Sequence, residues 1–501
     1  MNKEVVVTDG CSGKVTDSCG YDEAVELAGH GRYNYTLLGV GSIIVVAVAI
    51  DMFGYSVVVA ASSCDLGVGL KETGLLASAP FAGLLFAFPW GFYADTRGRR
   101  KALLISTSFG FLFAALSSLS MNWQFMFASK LFGCGFSTAS FTLVITLLGE
   151  CTGSSHRNVY LFMLNSVNLS SEIISFSLAY LILPLSFQLE VPWLGITYRP
   201  WRLYTFIMAL PLGIGALLML FMHESPKFLA NKGELDKALE VLKKIYAANG
   251  GKREDYPVKH IITEELTTEK NTFWKTLREQ TVPIFKPPLL LRTVQLFYLM
   301  ALCCSINNVF FMWFPTMVNI FFNTLSDVWT NDQTFCERVF SNKTSNYTDT
   351  VICNDEISHN TIYSGIFYGF FFCVVTAIVA QGASRRRMLL IGILIVSGVS
   401  CILVELKHPI ANIIFFILMQ STAIGIGNVC SYFVDVYPTS YRGLATSLGM
   451  MTARLVSFAG VNIIGNVITD YCTPTFYISA AFVFSGVIVC FFLPADRKTN
   501  E

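Results

Sequence analysis

The charged residues inside the long apolar stretches of this chain include Asp51, Glu172 and Arg454. Keeping an ionised side chain within a membrane is costly unless it pairs with another charge or faces a water-filled cavity. Each of the three is therefore a candidate for holding a solute or an ion. Asp51 could bind a proton, a cation or a substrate group, and it could equally be the structural partner of a buried cation.

Arg454 favours an anionic solute, because a guanidinium group binds carboxylates through two parallel hydrogen bonds. A pair between Asp51 and Arg454 would neutralise both residues and remove that preference. Glu172 shares one helical face with Asn165 and Asn168, since spacings of four and seven residues fall on the same side of a helix. Glu172 could line a cavity or merely a helix contact.

Amide and aromatic side chains in the second half of the chain supply hydrogen bonds and ring surface, the mixture expected of a small-molecule cavity. The candidates are Asn307, Trp313, Tyr363 and Tyr432. The rings of Trp313 and Tyr432 suit an organic cation, which opposes the preference suggested by Arg454. The chain has no G-x-x-x-x-G-K-S/T motif and no Ser/His/Asp constellation, so we expect neither an ATP-driven pump nor an enzyme, and no cofactor or metal.

The elements that position these residues must be membrane spans. The chain is 53% hydrophobic and only 14% charged, far below the charge of a soluble domain. Twelve apolar runs reach the roughly 20 residues that a helix needs to cross the hydrocarbon core. Six precede a polar stretch and six follow it, which predicts an all-α polytopic membrane protein. The net charge of +1 gives no reason to expect nucleic-acid binding.

The predicted organisation has five parts. They are a cytosolic tail at 1–34, in which we expect little order, a first six-helix bundle at 35–223, a cytosolic linker with short helices at 224–288, a second six-helix bundle at 289–494 and a cytosolic tail at 495–501. An outer loop at 323–358 interrupts the second bundle.

A charged loop between spans 2 and 3 orients the whole chain. Its cations are Arg97, Arg99, Arg100 and Lys101, and such a cluster stays on the cytosolic side. The same rule places both termini in the cytosol. Gly91 predicts a close approach of two helices, and Gly98 predicts a chain reversal that a Cβ would obstruct. Asp95 could accept hydrogen bonds from the amino end of span 11.

An acid and an arginine seven residues apart recur at corresponding places in the two halves, as Glu150 with Arg157 and Asp435 with Arg442. The basic run 385–387 similarly repeats the charged loop, although it lacks the aspartate. Two related halves are typical of transporters that bind solute at their interface. We expect the acids and arginines to form a cytosolic gate of salt bridges.

The outer loop contains two N-glycosylation acceptor sequences, at Asn342 and Asn346. Cys336 and Cys353 flank them in a compartment that permits oxidation, so we expect these cysteines to form a disulfide.

The pattern G-x-x-x-D-x-x-G-R-R-K at 91–101 resembles the signature loop of the major facilitator superfamily. The two acid-to-arginine motifs and the segments 198–203 and 223–229 resemble its organic ion transporter branch. Within that neighbourhood, the segments 64–66 and 311–319 and the glycosylated loop are similar to the synaptic vesicle glycoprotein 2 family, in a short, insect-like form. One departure is Ser129, which stands where the family has an arginine, with a cation displaced to Lys130.

The resemblance implies two pseudo-symmetric bundles that alternate access to a cavity, and it places Arg454 on the cavity wall. We expect a monomer in the lipid bilayer of the plasma membrane or a vesicle that carries a small organic solute, an organic ion above all, with H+ or another ion as a candidate for coupling. The alternative is a vesicle-glycoprotein-like scaffold, receptor or trafficking protein with little transport.

Overall fold

A computed structural model describes residues 18–83, 86–262, 281–327, 333–340, 357–381, 386–437 and 439–494. It is built almost entirely of helices that run back and forth through two bundles. The first half contains spans 1 to 6: Arg32–Phe53 with Tyr55–Ser62, Leu70–Gly83 with Ala87–Arg97, Arg99–Ser117, Trp123–Cys151, Ser154–Leu169 with Ser171–Ile182, and Pro200–Met219.

The second half contains spans 7 to 12. Their bounds are Leu290–Asp327, His359–Gln381, Arg386–Leu403, Pro409–Leu418 continued by Met419–Ser421 and Thr422–Val436, Thr439–Val467, and Cys472–Phe491.

Within the described residues, ten of the twelve spans are long and apolar enough to cross a membrane. Span 5 is divided into two shorter helices, and span 2 is described as two helices on either side of residues 84 and 85, which lie outside the description. Span 5 divides where Leu169 ends one helix and Ser171 begins the next. The predicted architecture of twelve spans in two six-helix bundles is confirmed.

The two ends of the bundles are easily told apart. One end carries the charged loop that contains Arg97 and Lys101, and we name it the basic face. The other carries an antiparallel hairpin of strands Leu189–Val191 and Ile196–Tyr198, and we name it the hairpin face.

Part of the amino-terminal segment is ordered and packs on the basic face. Strand Ser18–Gly20 pairs in parallel with His260–Ile262 of the linker, and the helix Tyr21–Leu27 follows it. Ala24 is fully buried, and its carbonyl accepts a hydrogen bond from the Tyr256 hydroxyl at 2.6 Å. The expectation of little order is therefore wrong for residues 18–31. Residues 1–17 lie outside the description.

The linker contributes the short helices Pro226–Asn231, Leu235–Ala248 and Arg253–Asp255. Asn249 joins the linker to the amino-terminal segment, because its Nδ2 donates to the carbonyls of Ala28 and Gly29 at 3.2 and 3.0 Å. The same amide donates to Asn34 Oδ1 at 3.0 Å. These contacts tie the linker to the start of span 1.

The two halves meet near the hairpin face. A Cβ on Gly74 of span 2 would come within 3.1 Å of the Cα of Gly465 in span 11, so the two backbones are in direct contact. The ring of Trp313 in span 7 lies against both glycines. Spans 5 and 8 meet similarly, with Tyr180 and Tyr363 joined by a hydroxyl contact of 3.4 Å. This end of the interface is closed.

The predicted disulfide is wrong. Cys336 lies in the helix Phe335–Phe340 of the outer loop and is bonded to Cys472 at the start of span 12, with their Cα atoms 5.8 Å apart. That helix is anchored to the bundle by buried side chains, since Phe335 is fully buried and its ring stacks on Phe416. Packing of the helix on spans 10 and 12 therefore selects the partner. Cys353, Asn342 and Asn346 lie outside the described residues.

Candidate functional site

Asp51 forms a buried ion pair with Lys130, with 2.5 Å between the carboxylate oxygen and Nζ. The two side chains are 5% and 4% exposed. The ammonium group also lies 4.7 Å from the centre of the Tyr55 ring, and Ser137 Oγ donates to the other carboxylate oxygen at 3.4 Å. The charge of Asp51 is thus compensated within the first half, and Asp51 does not pair with Arg454.

Glu172 lies where span 5 contacts span 8. Its Cβ would be 3.4 Å from a Cβ added to Gly369, so the two helices are close at this level. Among the described residues, its carboxylate has no hydrogen-bond or ion-pair partner. Glu172 as a whole residue is partly buried.

Arg454 lies in the middle of span 11, with Cys304 of span 7 nearby. No acid of the described chain pairs with it. One turn further along span 11, Ser457 Oγ accepts a hydrogen bond from Asn308 Nδ2 at 3.2 Å. The guanidinium group is therefore a partly buried cation beside a polar helix contact.

Asn307 and Trp313 both belong to span 7 but differ in surroundings. Asn307 is 9% exposed, and its Oδ1 has no hydrogen-bond partner in the described structure. Trp313 is 1% exposed and its Nε1 donates to the Val461 carbonyl at 3.2 Å. Trp313 therefore forms part of the contact that closes the hairpin face, whereas Asn307 offers a free acceptor.

The two predicted tyrosines lie apart from each other. Tyr363 is 52% exposed and lies beside Tyr180 at the rim of the hairpin face. Tyr432 is 4% exposed, in the second helix of span 10. Sequence reasoning treated these residues as one cavity, and the structure distributes them over several levels of the interface.

On the basic face of the first half, Arg99 is the centre of a charge network. Its guanidinium lies 3.2 Å from Glu150 and 3.0 Å from Asp95, and it covers the ring of Phe228 at 5.3 Å. Glu150 also accepts a hydrogen bond from Ser225 Oγ at 2.5 Å. Asp95 binds within its own loop in this conformation, while its side chain remains 69% exposed.

The two signature glycines have different environments. Gly98 has a φ of +111°, which favours glycine, and the carboxylate of Glu224 occupies the space that a Cβ would need. That carboxylate accepts a hydrogen bond from the backbone amide of Arg100 at 2.9 Å. Gly91 is exposed, and a Cβ on it would meet no atom of the described residues within 4 Å. The close helix approach expected at Gly91 is therefore wrong for this conformation.

Arg157 pairs with Asp22 of the amino-terminal helix at 3.1 Å, a contact that sequence reasoning missed. Glu26, one turn later, accepts hydrogen bonds from the hydroxyls of Ser155 and Ser154 at the start of span 5. The bond from Ser155 is the main reason why the pKa of Glu26 falls below its ordinary value. Asp22 lies in the first turn of its helix, which is acidic, but Glu26 does not.

In the second half, Asp435 pairs with Arg386 at 2.8 Å. This pair corresponds to Glu150 with Arg99 in the first half, since each joins the end of one span to the loop between the two preceding spans. The side chain of Arg442 lies outside the description. Arg97 is exposed.

Two family profiles match this chain. The profile of the Major Facilitator Superfamily matches residues 41–326, and the profile "Sugar (and other) transporter" matches residues 339–498. The chain belongs to the Major Facilitator Superfamily. It is a multi-pass membrane protein of a family of membrane transporters, as its sequence predicts.

Its sequence relatives include synaptic vesicle glycoproteins. Synaptic vesicle glycoprotein 2B of Mus musculus is 26% identical over 284 residues, which cover 53% of this chain and 41% of the relative. Synaptic vesicle glycoprotein 2C of Homo sapiens is 30% identical over 234 residues, which cover 46% of this chain and 32% of the relative. The chain spans less than half the length of these curated relatives. The predicted resemblance is confirmed.

Solved structures support the fold. The inward open conformation of the xylose transporter XylE from E. coli has a TM-score of 0.65 at 12% identity, covering 93% of this chain and 98% of that chain. Its partially occluded inward open conformation has a TM-score of 0.64 at 12% identity, covering 92% and 100%.

Proposed function

We propose that this chain is a secondary active or facilitative transporter of a small organic solute, with an organic ion as the preferred class, and that it works by alternating access. Its basic face lies in the cytosol, because the cations of the charged loop resist translocation. Both termini are then cytosolic, and the hairpin face points outward or into a vesicle lumen. H+ or another ion remains the candidate for coupling.

The observation that carries this proposal is the unequal packing of the two faces. On the hairpin face, Gly74 and Gly465 bring the two halves into backbone contact. On the basic face, Asp95 and Glu150 bind Arg99 of their own half, and Asp435 binds Arg386 of its own. We interpret this arrangement as an inward-facing conformation, in which the gate residues exchange partners when the cytosolic side closes.

The energy for that change is within reach of ligand binding. A conformational equilibrium shifts by as much as the ligand's affinity differs between the two states. The pairs of Asp95 and Asp435 are exposed and worth little individually, so exchanging them for contacts between the halves is inexpensive. We assign the binding cavity to Asp51, Glu172, Asn307 and Arg454, with Trp313, Tyr363 and Tyr432 at its closed end and walls.

Uptake into proteoliposomes tests the proposal. The purified chain is reconstituted and offered a panel of organic anions, organic cations and sugars, with Arg454→Gln as the test variant. Arg253→Gln is the matched control, because Arg253 is exposed on the linker and pairs only at the surface with Glu240. Uptake that Arg454→Gln abolishes and Arg253→Gln preserves supports the proposal. No uptake of any class would refute it.

A vesicle-membrane scaffold, receptor or trafficking protein is the second candidate. It is favoured by one observation, that Asp51 is already neutralised by Lys130 and so offers no free charge to a solute. In a scaffold, substitutions such as Arg454→Gln would leave all partner interactions unchanged and no solute would be transported.

A further inference from the structure

Only four charged residues lie near the middle of the spans in this sequence: Asp51, Lys130, Glu172 and Arg454. Asp51 and Lys130 compensate each other at 2.5 Å. Glu172 and Arg454 remain, one acid in the first half and one base in the second. Neither has an ion-pair partner within the described residues. An intramembrane charge without a partner marks a functional site by default.

Glu172 lies at the inner end of the contact between spans 5 and 8. One turn and two turns further along span 5, Phe176 packs on Gly365 and Tyr180 contacts Tyr363. Both contacts lie toward the hairpin face. Glu172 is therefore positioned where the closed part of the interface ends and the part open toward the basic face begins.

Arg454 has the equivalent position on the other side. Moving along span 11 from Arg454 toward the hairpin face, Ser457 bonds to span 7, Val461 accepts the indole hydrogen bond, and Gly465 touches Gly74. Arg454 thus lies on the basic-face side of the contact between Gly465 and Gly74, which closes the hairpin face. The two uncompensated charges lie on opposite halves, each on the basic-face side of a contact that closes the hairpin face.

We propose that the solute is a small zwitterion, with an oxyanion that binds Arg454 and a cationic nitrogen that binds Glu172. This inference rests on the proposed transport function and specifies its substrate class. A zwitterion bridges the halves because each of its charges is held by a different bundle. Closure around it then brings opposite charges together without leaving either one unpaired.

Other classes fit the two charges less well. A monoanion leaves Glu172 uncompensated, and a monocation leaves Arg454 uncompensated, although a guanidinium group stays charged in proteins. A neutral sugar leaves both Glu172 and Arg454 uncompensated. Unpaired charges in a desolvated cavity are penalised heavily.

Matched triads of ligands test the inference. One triad is phenylalanine, 3-phenylpropanoate and 2-phenylethylamine, and another is 4-aminobutanoate, butanoate and propylamine. Each triad keeps the skeleton and changes only the charges. Thermal unfolding of the purified full-length chain in detergent, titrated with each compound, reports binding. We expect zwitterions to raise the unfolding temperature at concentrations about tenfold below those of the singly charged members.

Variants separate the two charges. Glu172→Gln should weaken zwitterion binding about tenfold and bring it level with the monoanion, while Arg454→Gln should weaken both compounds. The controls Glu254→Gln and Arg253→Gln remove exposed charges of the linker and should preserve the wild-type order.

The inference is overturned if no zwitterion stabilises the wild type, if monoanions stabilise it as strongly, or if Glu172→Gln leaves the preference intact. Strong binding of monoanions would instead assign Glu172 the role of a protonated carboxyl group. Uptake by proteoliposomes of the same preparation keeps the two claims apart. If a zwitterion binds but is not taken up, only the transport proposal is refuted. If a solute is taken up at a rate that Glu172→Gln does not change, only the zwitterion inference is refuted.

Discussion

The same pair of charges is built into the basic face of each half, but with very different surroundings. In the first half, Arg99 and Glu150 have side chains only 11% and 13% exposed. In the second half, Arg386 and Asp435 are 36% and 42% exposed. Glu150 is further held by Ser225 from the start of the linker. Linker contacts have therefore turned one of two equivalent pairs into a buried network.

This difference in exposure indicates which half is the more rigid one. Buried, hydrogen-bonded charges fix a single geometry, whereas exposed pairs exchange partners at little cost. The amino-terminal helix adds to the first half through Asp22 and Arg157. We infer that the first half moves as one body with the linker and the amino-terminal segment, and that the gate of the second half is the part that re-pairs.

The largest effect is expected at Glu150. Glu150→Gln leaves the guanidinium of Arg99 without its main counter-charge in a mostly buried position, which should lower the free energy of unfolding by about 3 kcal/mol. Thermal and denaturant unfolding in detergent would measure it. A loss no greater than that of Asp435→Asn would contradict the distinction between the halves.

Gly98 gives the next largest effect. An alanine there must adopt a positive φ and displace the carboxylate of Glu224, so Gly98→Ala should cost about 2 kcal/mol. Gly91→Ala is the matched substitution in the same loop, and it should change stability by less than about 0.5 kcal/mol because the site is open. Equal effects of the two substitutions would refute the described loop geometry.

A smaller effect should depend on pH through Glu26. Because the pKa of this carboxyl group is lowered in the folded chain, its hydrogen bonds stabilise the fold above the ordinary glutamate range and are lost as pH falls through the lowered pKa. The difference in unfolding temperature between wild type and Glu26→Gln should therefore shrink from pH 7 to pH 3.5. Because the carboxyl group of Glu26 is exposed, its contribution to the free energy of unfolding should stay below about 1 kcal/mol. A gap that does not change with pH would contradict this.

The smallest effect belongs to Asp435. Asp435→Asn removes an exposed pair and should change the free energy of unfolding by no more than about 0.5 kcal/mol. Its effect should appear instead in the rate of uptake, because the gate of the second half loses an acid that re-pairs. A large loss of stability with unchanged uptake would reverse the assignment of the two halves.

Much of this architecture is predictable from the sequence because it depends on local properties. The length of the apolar runs predicts the twelve spans. The free-energy cost of holding a charge within the membrane identifies Asp51, Glu172 and Arg454 as candidate site residues. The family and the two six-helix bundles follow from short motifs such as the loop at 91–101. These features need no knowledge of which distant residues meet.

The failures concern distant partners. Lys130 is far from Asp51 along the chain, and nothing in the sequence chooses it over Arg454. Cys336 is separated from Cys472 by 136 residues, and only packing of its helix selects that cysteine. The order of the amino-terminal segment likewise depends on a strand of the linker more than 200 residues away.

The most direct test of alternating access is a pair of distance measurements on one molecule. Spin labels at Lys71 and Asn466 report the hairpin face, and labels at Thr96 and Lys286 report the basic face, all four positions being exposed. Noncanonical amino acids should carry the labels, because nine described cysteines are not in disulfide bonds and would react with thiol-directed labels.

In lipid bilayers without solute, we expect a short distance on the hairpin face and a long one on the basic face. A transported solute should lengthen the first as it shortens the second. Single distances on both faces that no member of the solute panel changes would contradict the account and identify a fixed scaffold.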